Sequence, residues 1–168
     1  MQAVVLAGGR SSRFGSDKAR FPVMGQPMAL RTARLLQELG LPVVLSVRDR
    51  GLGDLGLTLL VEDPELPRHP LAGVVTALEA FPEVLLVPCD LPQLPLAALV
   101  RLRATPAPAV AFDGERVHPL LAHLDRRSLP KARALLEAQG PVMPLSDGAA
   151  RVELPPPWLV NLNRPPPG

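Results

Sequence analysis

Short apolar runs alternate along this chain with segments of helical spacing, and that alternation leaves few folds open. Gln2 to Leu6, Pro42 to Val47, Leu57 to Val61 and Val84 to Val87 read as strands. Between them, Met28 to Leu39 carries Leu30, Ala33, Leu36 and Leu39 at helical spacing, with Gly40 as its stop. Pro70 suits a first helical turn, which predicts a helix over Leu71 to Ala80. Val84 to Val87 is apolar throughout, as a central strand covered on both faces requires. Pro95 opens another helix, Leu96 to Arg103. Strands alternating with helices mean an α/β chain: a doubly wound, mostly parallel, Rossmann-like sheet.

The second half breaks the rhythm. Ala109 to Phe112 and Pro119 to Leu124 flank an Asp113-Gly114 turn and predict a late antiparallel hairpin. Ser128 reads as the N-cap of a helix running to Gln139, with Pro130 in its first turn. Arg151 to Leu154 and Trp158 to Val160 read as short strands around Pro155-Pro156-Pro157. No internal repeat or linker divides the chain. The expected organisation is one domain over residues 1–164 and a Pro-rich tail over 165–168.

Composition narrows the function classes. At 47% apolar residues the chain is not disordered. One Cys allows neither an intrachain disulfide nor a cysteine-based zinc site. The formal charge is +2, with basic and acidic residues interspersed rather than gathered in a stripe with aromatics. That argues against nucleic acid as a partner. No apolar run approaches the roughly 18 residues of a membrane span. The expectation is a soluble, cytoplasmic protein. Only two Lys (Lys18, Lys131) and two Asn (Asn161, Asn163) occur, so each is singled out for attention.

Ligands of open α/β sheets bind at the carboxyl ends of the strands. The first such end continues as Leu6-Ala7-Gly8-Gly9-Arg10-Ser11-Ser12-Arg13-Phe14-Gly15-Ser16-Asp17-Lys18. Gly8 and Gly9 let backbone N–H groups approach a ligand without Cβ obstruction. Arg10, Arg13 and Lys18 add three cations, a set that suits a triphosphate. The spacing is neither a Walker A loop nor a dinucleotide GxGxxG. Two other strand ends carry acids, Glu62-Asp63 and Pro88-Cys89-Asp90. A carboxylate at Asp90 can hold a hard divalent cation beside phosphates and water. Asp63 can accept from the N1–H and exocyclic amine of guanine, or be a solvated turn residue. Cys89 has no partner base in sequence and reads as a small strand-end residue. Three His do not indicate a histidine metal cluster, and neither His69 nor His123 has a visible partner.

The pattern L-A-G-G-x-S-x-R-[FM]-G-x-x-K after a first strand resembles the signature of nucleotidyltransferases with a GT-A-like Rossmann fold. Its Ala-Gly-Gly form resembles the molybdenum cofactor guanylyltransferases, the molybdopterin-guanine dinucleotide biosynthesis protein A family. Related cytidylyltransferases usually show Ala-Ala-Gly. Val61-Glu62-Asp63, Gly73, Pro88-Cys89-Asp90-Leu91-Pro92, His118-Pro119 and Asn161-Leu162-Asn163 resemble that family's further motifs in order. The family's Asn after the second strand is missing from Ser46-Val47-Arg48.

The resemblance implies transfer of GMP from GTP to the terminal phosphate of molybdopterin, with release of pyrophosphate. It implies nucleotide contacts from Leu6, Ala7, Gly8, Gly9, Lys18, Asp63 and Asp90, and Mg²⁺ on Asp90. Arg10, Arg13, Lys18 and Asp90 would form the catalytic set. An amide suits a pterin edge or a phosphate, so the resemblance implies Asn161 and Asn163 as acceptor-site residues, the alternative being a pair of loop-entry turn residues. His118 could join them or be a satisfied structural histidine. Handover of cofactor to molybdoenzymes is implied by family alone. Cytidylyl or sugar-phosphate nucleotidyl transfer, and a non-catalytic nucleotide or pterin carrier, are the alternatives.

Overall fold

In a computed structural model that describes residues 1–7 and 18–162, the first half winds as the sequence predicts. β1 (Gln2–Leu6) leads to a two-stranded ladder of β2 (Pro22–Val23) and β3 (Gln26–Pro27), then α1 (Met28–Glu38). There follow β4 (Val43–Val47), β5 (Thr58–Val61), α2 (Pro70–Ala80), β6 (Glu83–Pro88) and α3 (Leu96–Ala104). The second half holds β7 (Ala109–Phe112), β8 (Val117–Asp125), α4 (Leu129–Glu137) and β9 (Ala150–Glu153). Seven strands form one sheet in the order β5-β4-β1-β6-β8-β7-β9. β1 pairs in parallel with both β4 and β6, and β4 with β5. β8 runs antiparallel to β6 and β7, while β9 returns parallel to β7.

The sheet is covered on both faces because its strands alternate. Ala3, Val5, Leu85 and Val87 point into one core with Ala29, Ala33 and Leu36 of α1 and Leu99 and Leu102 of α3. Val4, Val84 and Leu86 point into the other, with Leu71, Val74 and Leu78 of α2 and Ala132 and Leu136 of α4. The buried stripe of α1 starts at Met28 and Ala29, and Leu30 is only half-buried. Buried Thr32 donates its hydroxyl to the Met28 carbonyl (3.0 Å), so no polar group is stranded under the helix.

Three local readings change. Trp158 to Val160 is not a strand: Pro156–Leu159 forms a 3₁₀ turn. Three consecutive prolines supply no N–H for a ladder, and the Trp158 N–H bonds back to the Pro155 carbonyl (3.0 Å). Ser128 stands at the N-cap of α4, as expected, but its side chain makes no capping bond. It is already helical, and extended Asp125 caps a preceding 3₁₀ turn by accepting from the Arg127 N–H (3.0 Å). His69 and His123 both have partners. His69 caps α2: its Nδ1 accepts from the Leu71 N–H (3.1 Å), which leaves Nε2–H to donate to the Gly140 carbonyl (2.8 Å). Buried His123 lies between the Thr105 carbonyl (2.7 Å) and the Glu83 carboxylate (2.6 Å). Gly140, Thr105 and Glu83 come from distant elements, so sequence could not show them, whereas the Leu71 N–H is local to His69.

Candidate functional site

From β1 the chain winds one way to β4 and β5, then returns through α2 to β6 on the other side of β1. The order of winding therefore reverses between β1 and β6, which opens a crevice at their carboxyl ends. Leu6 stands opposite Pro88 in that pair. The Cys89 N–H donates to the Leu6 carbonyl (3.3 Å), which carries the pairing one residue past the sheet. On the other flank the Ala7 N–H donates to the Ser46 carbonyl (2.9 Å). Leu6 and Ala7 thus sit half-buried at the mouth of the crevice.

Lys18 and Asp90, 72 residues apart in the chain, meet there. Lys18 Nζ stands 3.4 Å from Asp90 Oδ2. Their side chains are 21% and 22% exposed, so the pair is sheltered yet within reach of a ligand. Lys18 begins a 3₁₀ turn whose Ala19 is buried in the core shared with α1. That burial fixes where the cation emerges. Asp90 follows β6, the strand held on both sides. A cation and a carboxylate in contact at this position match a site for a polyphosphate and its counterion.

The C-terminal segment returns to the same place. The Leu162 N–H donates to the Asp90 carbonyl (2.8 Å). Leu159 is buried in the core, and Arg101 lies over the Trp158 ring (5.4 Å to its centroid), which anchors the turn before this segment on α3. Asn161 is exposed next to that contact. His118 lies at the start of β8, and β8 runs antiparallel to β6, so His118 belongs to the same end of the sheet as Asp90. Its Nε2 is within 3.0 Å of Asp113 Oδ2. Asp113 itself accepts from the Arg116 N–H (2.7 Å) and the Glu115 N–H (2.9 Å). Those bonds, with the His118 contact, hold its carboxyl down at about 2. Sequence reading passed over Asp113 except as a turn, although its position five residues before His118 across an Asp-Gly turn was a usable signal.

Asp63 follows β5 at the same end of the sheet. It is exposed, and its Oδ1 accepts from the Glu65 N–H (2.9 Å). Its neighbour Glu62 is buried and ion-paired with Arg48 (3.3 Å). Burial pushes the Glu62 carboxyl up, and Arg48 opposes the shift. Sequence reading named Glu62 beside Asp63 and the Ser46-Val47-Arg48 stretch but missed that Arg48 and Glu62 pair.

Gly8, Gly9, Arg10, Arg13 and Asn163 lie outside the described residues, as does the boundary before the tail at 165–168. Among the described residues no group of three or more His, Cys, Asp or Glu could hold a metal. One carboxylate suffices for an ion that shares its coordination with phosphate oxygens and water, so Asp90 fits such an ion. No helix among those residues is long and apolar enough to cross a membrane. Lys131, unexplained by sequence, donates to the Asp147 carbonyl (2.8 Å) at the opposite end of the sheet.

The family model for the MobA-like NTP transferase domain matches residues 3–152. The chain belongs to this family. A molybdenum cofactor guanylyltransferase of Serratia proteamaculans is 32% identical over 79% of this chain and 72% of its own length. One from Rhodobacter capsulatus is 31% identical over 96% of this chain and 90% of its own. The solved structure of molybdopterin-guanine dinucleotide biosynthesis protein A from Archaeoglobus fulgidus superposes with a TM-score of 0.77, at 18% identity, over 98% of this chain and 93% of that one. As a MobA-like NTP transferase the protein is a nucleotidyltransferase enzyme, and its crevice between β1 and β6 is where the fold puts a ligand.

Proposed function

We propose that this enzyme transfers GMP from GTP to the terminal phosphate of molybdopterin, giving molybdopterin guanine dinucleotide and pyrophosphate. The observation that carries the reading is the Lys18–Asp90 contact at the point where the sheet reverses. The names of the Serratia and Rhodobacter relatives supply the substrates.

A terminal phosphate oxygen of molybdopterin attacks the α-phosphorus of GTP. The bond from that phosphorus to the bridging oxygen breaks, and pyrophosphate leaves with the electron pair. The attacking group is already an anion, so no side chain need remove a proton. The protein's work is positioning and charge neutralisation. Lys18 is placed to stabilise the pyrophosphate as its charge develops, with Arg10 and Arg13 assigned the same duty. Leu6, Ala7, Gly8 and Gly9 seat the nucleotide by backbone contacts, and Asp63 reads the guanine edge. Asn161, Asn163 and His118 serve the acceptor. Asp90 would hold a Mg²⁺ ion, which when bound neutralises phosphate charge. The reaction belongs in the cytoplasm, where GTP is available.

The test is guanylyl transfer with purified protein, GTP, molybdopterin and Mg²⁺, read as pyrophosphate release. Asp90→Ala should abolish turnover while GTP binding partly survives. Lys18→Ala should lower kcat/KM by about 10² or more, the scale of losing one positioned charge donor. Full transfer by Asp90→Ala would remove the metal assignment, and unchanged kcat/KM would remove Lys18. Preference for CTP over GTP would make the enzyme a cytidylyltransferase. Binding without pyrophosphate release would make it a carrier.

A further inference from the structure

Arg48 stands at the carboxyl end of β4, and its guanidinium serves four acceptors at once. Nη1 donates to Glu62 Oε2 (3.3 Å) and to the Pro67 carbonyl (3.4 Å). Nη2 donates to the carbonyls of Pro64 (3.0 Å) and Leu66 (2.6 Å). All four belong to one loop, the stretch that follows β5 and carries Asp63. The Glu62 N–H also donates to the Val47 carbonyl (2.9 Å), so the loop leaves the sheet already tied to β4. Glu62 is 5% exposed and Arg48 16%, so solvent screens the ion pair weakly. Such a loop has few repeating backbone bonds of its own, and one planar fork supplies donors to its carbonyls. A lysine, with a single compact ammonium, cannot span them.

We infer that Arg48 is a positioning residue for nucleobase selection: it sets the loop in which Asp63 presents its carboxylate. This rests on the reading of Asp63 as the guanine contact. Arg48 touches no base itself. By bonding Glu62 and three carbonyls of that loop, Arg48 makes it rigid enough to present one carboxylate in a fixed place. With Glu62 held inward by Arg48, Asp63 is left facing solvent at the carboxyl end of the sheet.

Calorimetric dissociation constants of the full chain for GTP, ITP and inorganic tripolyphosphate would test this. ITP lacks the exocyclic amine, and tripolyphosphate lacks the base. Wild type, Arg48→Lys, Arg48→Ala and Asp63→Asn would be compared, with hydrogen exchange over residues 62–68. Arg48→Lys should weaken GTP about tenfold, narrow the GTP-to-ITP ratio, and leave tripolyphosphate within about twofold. Exchange should rise in the loop and not in the sheet. Arg48→Ala should exceed Arg48→Lys in each respect, and Arg48→Lys keeps the test informative if Arg48→Ala does not fold. If Asp63→Asn narrows the ratio and Arg48→Lys does not, the role of Arg48 is overturned while the guanine reading stands. If Asp63→Asn leaves the ratio unchanged, the guanine reading fails and the inference falls with it. Equal losses for GTP and tripolyphosphate with exchange raised throughout the sheet would make Arg48 a general structural residue and overturn the inference.

Discussion

Asp113 shows how a single carboxylate can be committed by its surroundings. The Arg116 N–H, the His118 ring and the Glu115 N–H all favour its charged form, and its pKa falls from 3.8 to about 2. The folded value lies below the unfolded one. The stabilisation is therefore complete above pH 3.8 and is lost as the pH falls through the window down to about 2. Glu62 acts in the opposite sense, because burial raises its pKa above 4.5 and the folded state then holds the extra proton. Its contribution diminishes as pH rises through that raised value. The wild-type profile blends these with the lowered carboxyls of Asp54 and Asp125, and Asp113→Asn isolates the Asp113 part. The Tm gap between wild type and Asp113→Asn should be widest above pH 4 and close toward pH 2. A gap that does not change over that range would show that the three bonds leave Asp113 stability independent of pH.

At the scale of elements, α2 and the sheet meet at Gly73. A methyl group built there would stand 3.0 Å from Ser46 Oγ and 3.2 Å from Leu6 Cδ2, with Glu62 Oε1 at 3.5 Å. The close approach, not backbone freedom, requires glycine in this helix. Alanine elsewhere in a helix gains about 1 kcal/mol over glycine. Overpacking a core costs about 1–3 kcal/mol, and here it presses on the last residue of β1 and on a serine of β4. Gly73→Ala should therefore be net destabilising by about 1 kcal/mol, measured by urea unfolding. Ser46 Oγ is buried with no hydrogen-bond partner among the described residues. Ser46→Ala should thus be close to neutral, and it should recover part of the Gly73→Ala loss when combined with it. Additive losses would show that Ser46 is not the clashing neighbour.

Across the whole molecule, the two faces of the sheet share the same strands. β6 gives Val84 and Leu86 to one core and Leu85 and Val87 to the other, and β1 divides its residues likewise. Neither core can loosen without losing the strands that support its counterpart. Unfolding should accordingly be cooperative. Fluorescence of Trp158, packed against the core under α1 and α3, should follow the same denaturant curve as far-UV circular dichroism, which weighs all four helices. Separated midpoints would mean that the faces melt independently. The same shared strands explain why the site is positioned well. Lys18, Asp90 and the Leu162 backbone are each anchored to β1, β6 or the core beneath them.

What the sequence determined by itself is the set of local choices. Strand and helix periods, the Gly40 stop and the Asp113-Gly114 turn are written in residues a few positions apart, and near-neighbour sterics decide them. The strand ends followed by glycine or acid also marked Leu6, Ala7, Asp63 and Asp90 before any contact was visible. Where local signals competed, sequence misled in part: Ser128 takes the N-cap position of α4 but makes no side-chain capping bond, while Asp125 caps the turn before it, and the prolines before Trp158 outweighed its strand preference. Tertiary structure alone decided which strand ends become neighbours. The order β4-β1-β6 joins Lys18 to Asp90 across 72 residues and brings Leu162 back to the same carbonyl. The neighbouring pair β5-β4 likewise sets Arg48 against a loop more than a dozen residues away, as the bond to Glu62 shows. Such pairings depend on the crossovers between parallel strands and on burial of both faces of the sheet. Those are properties of the packed chain, and no short window of residues contains them.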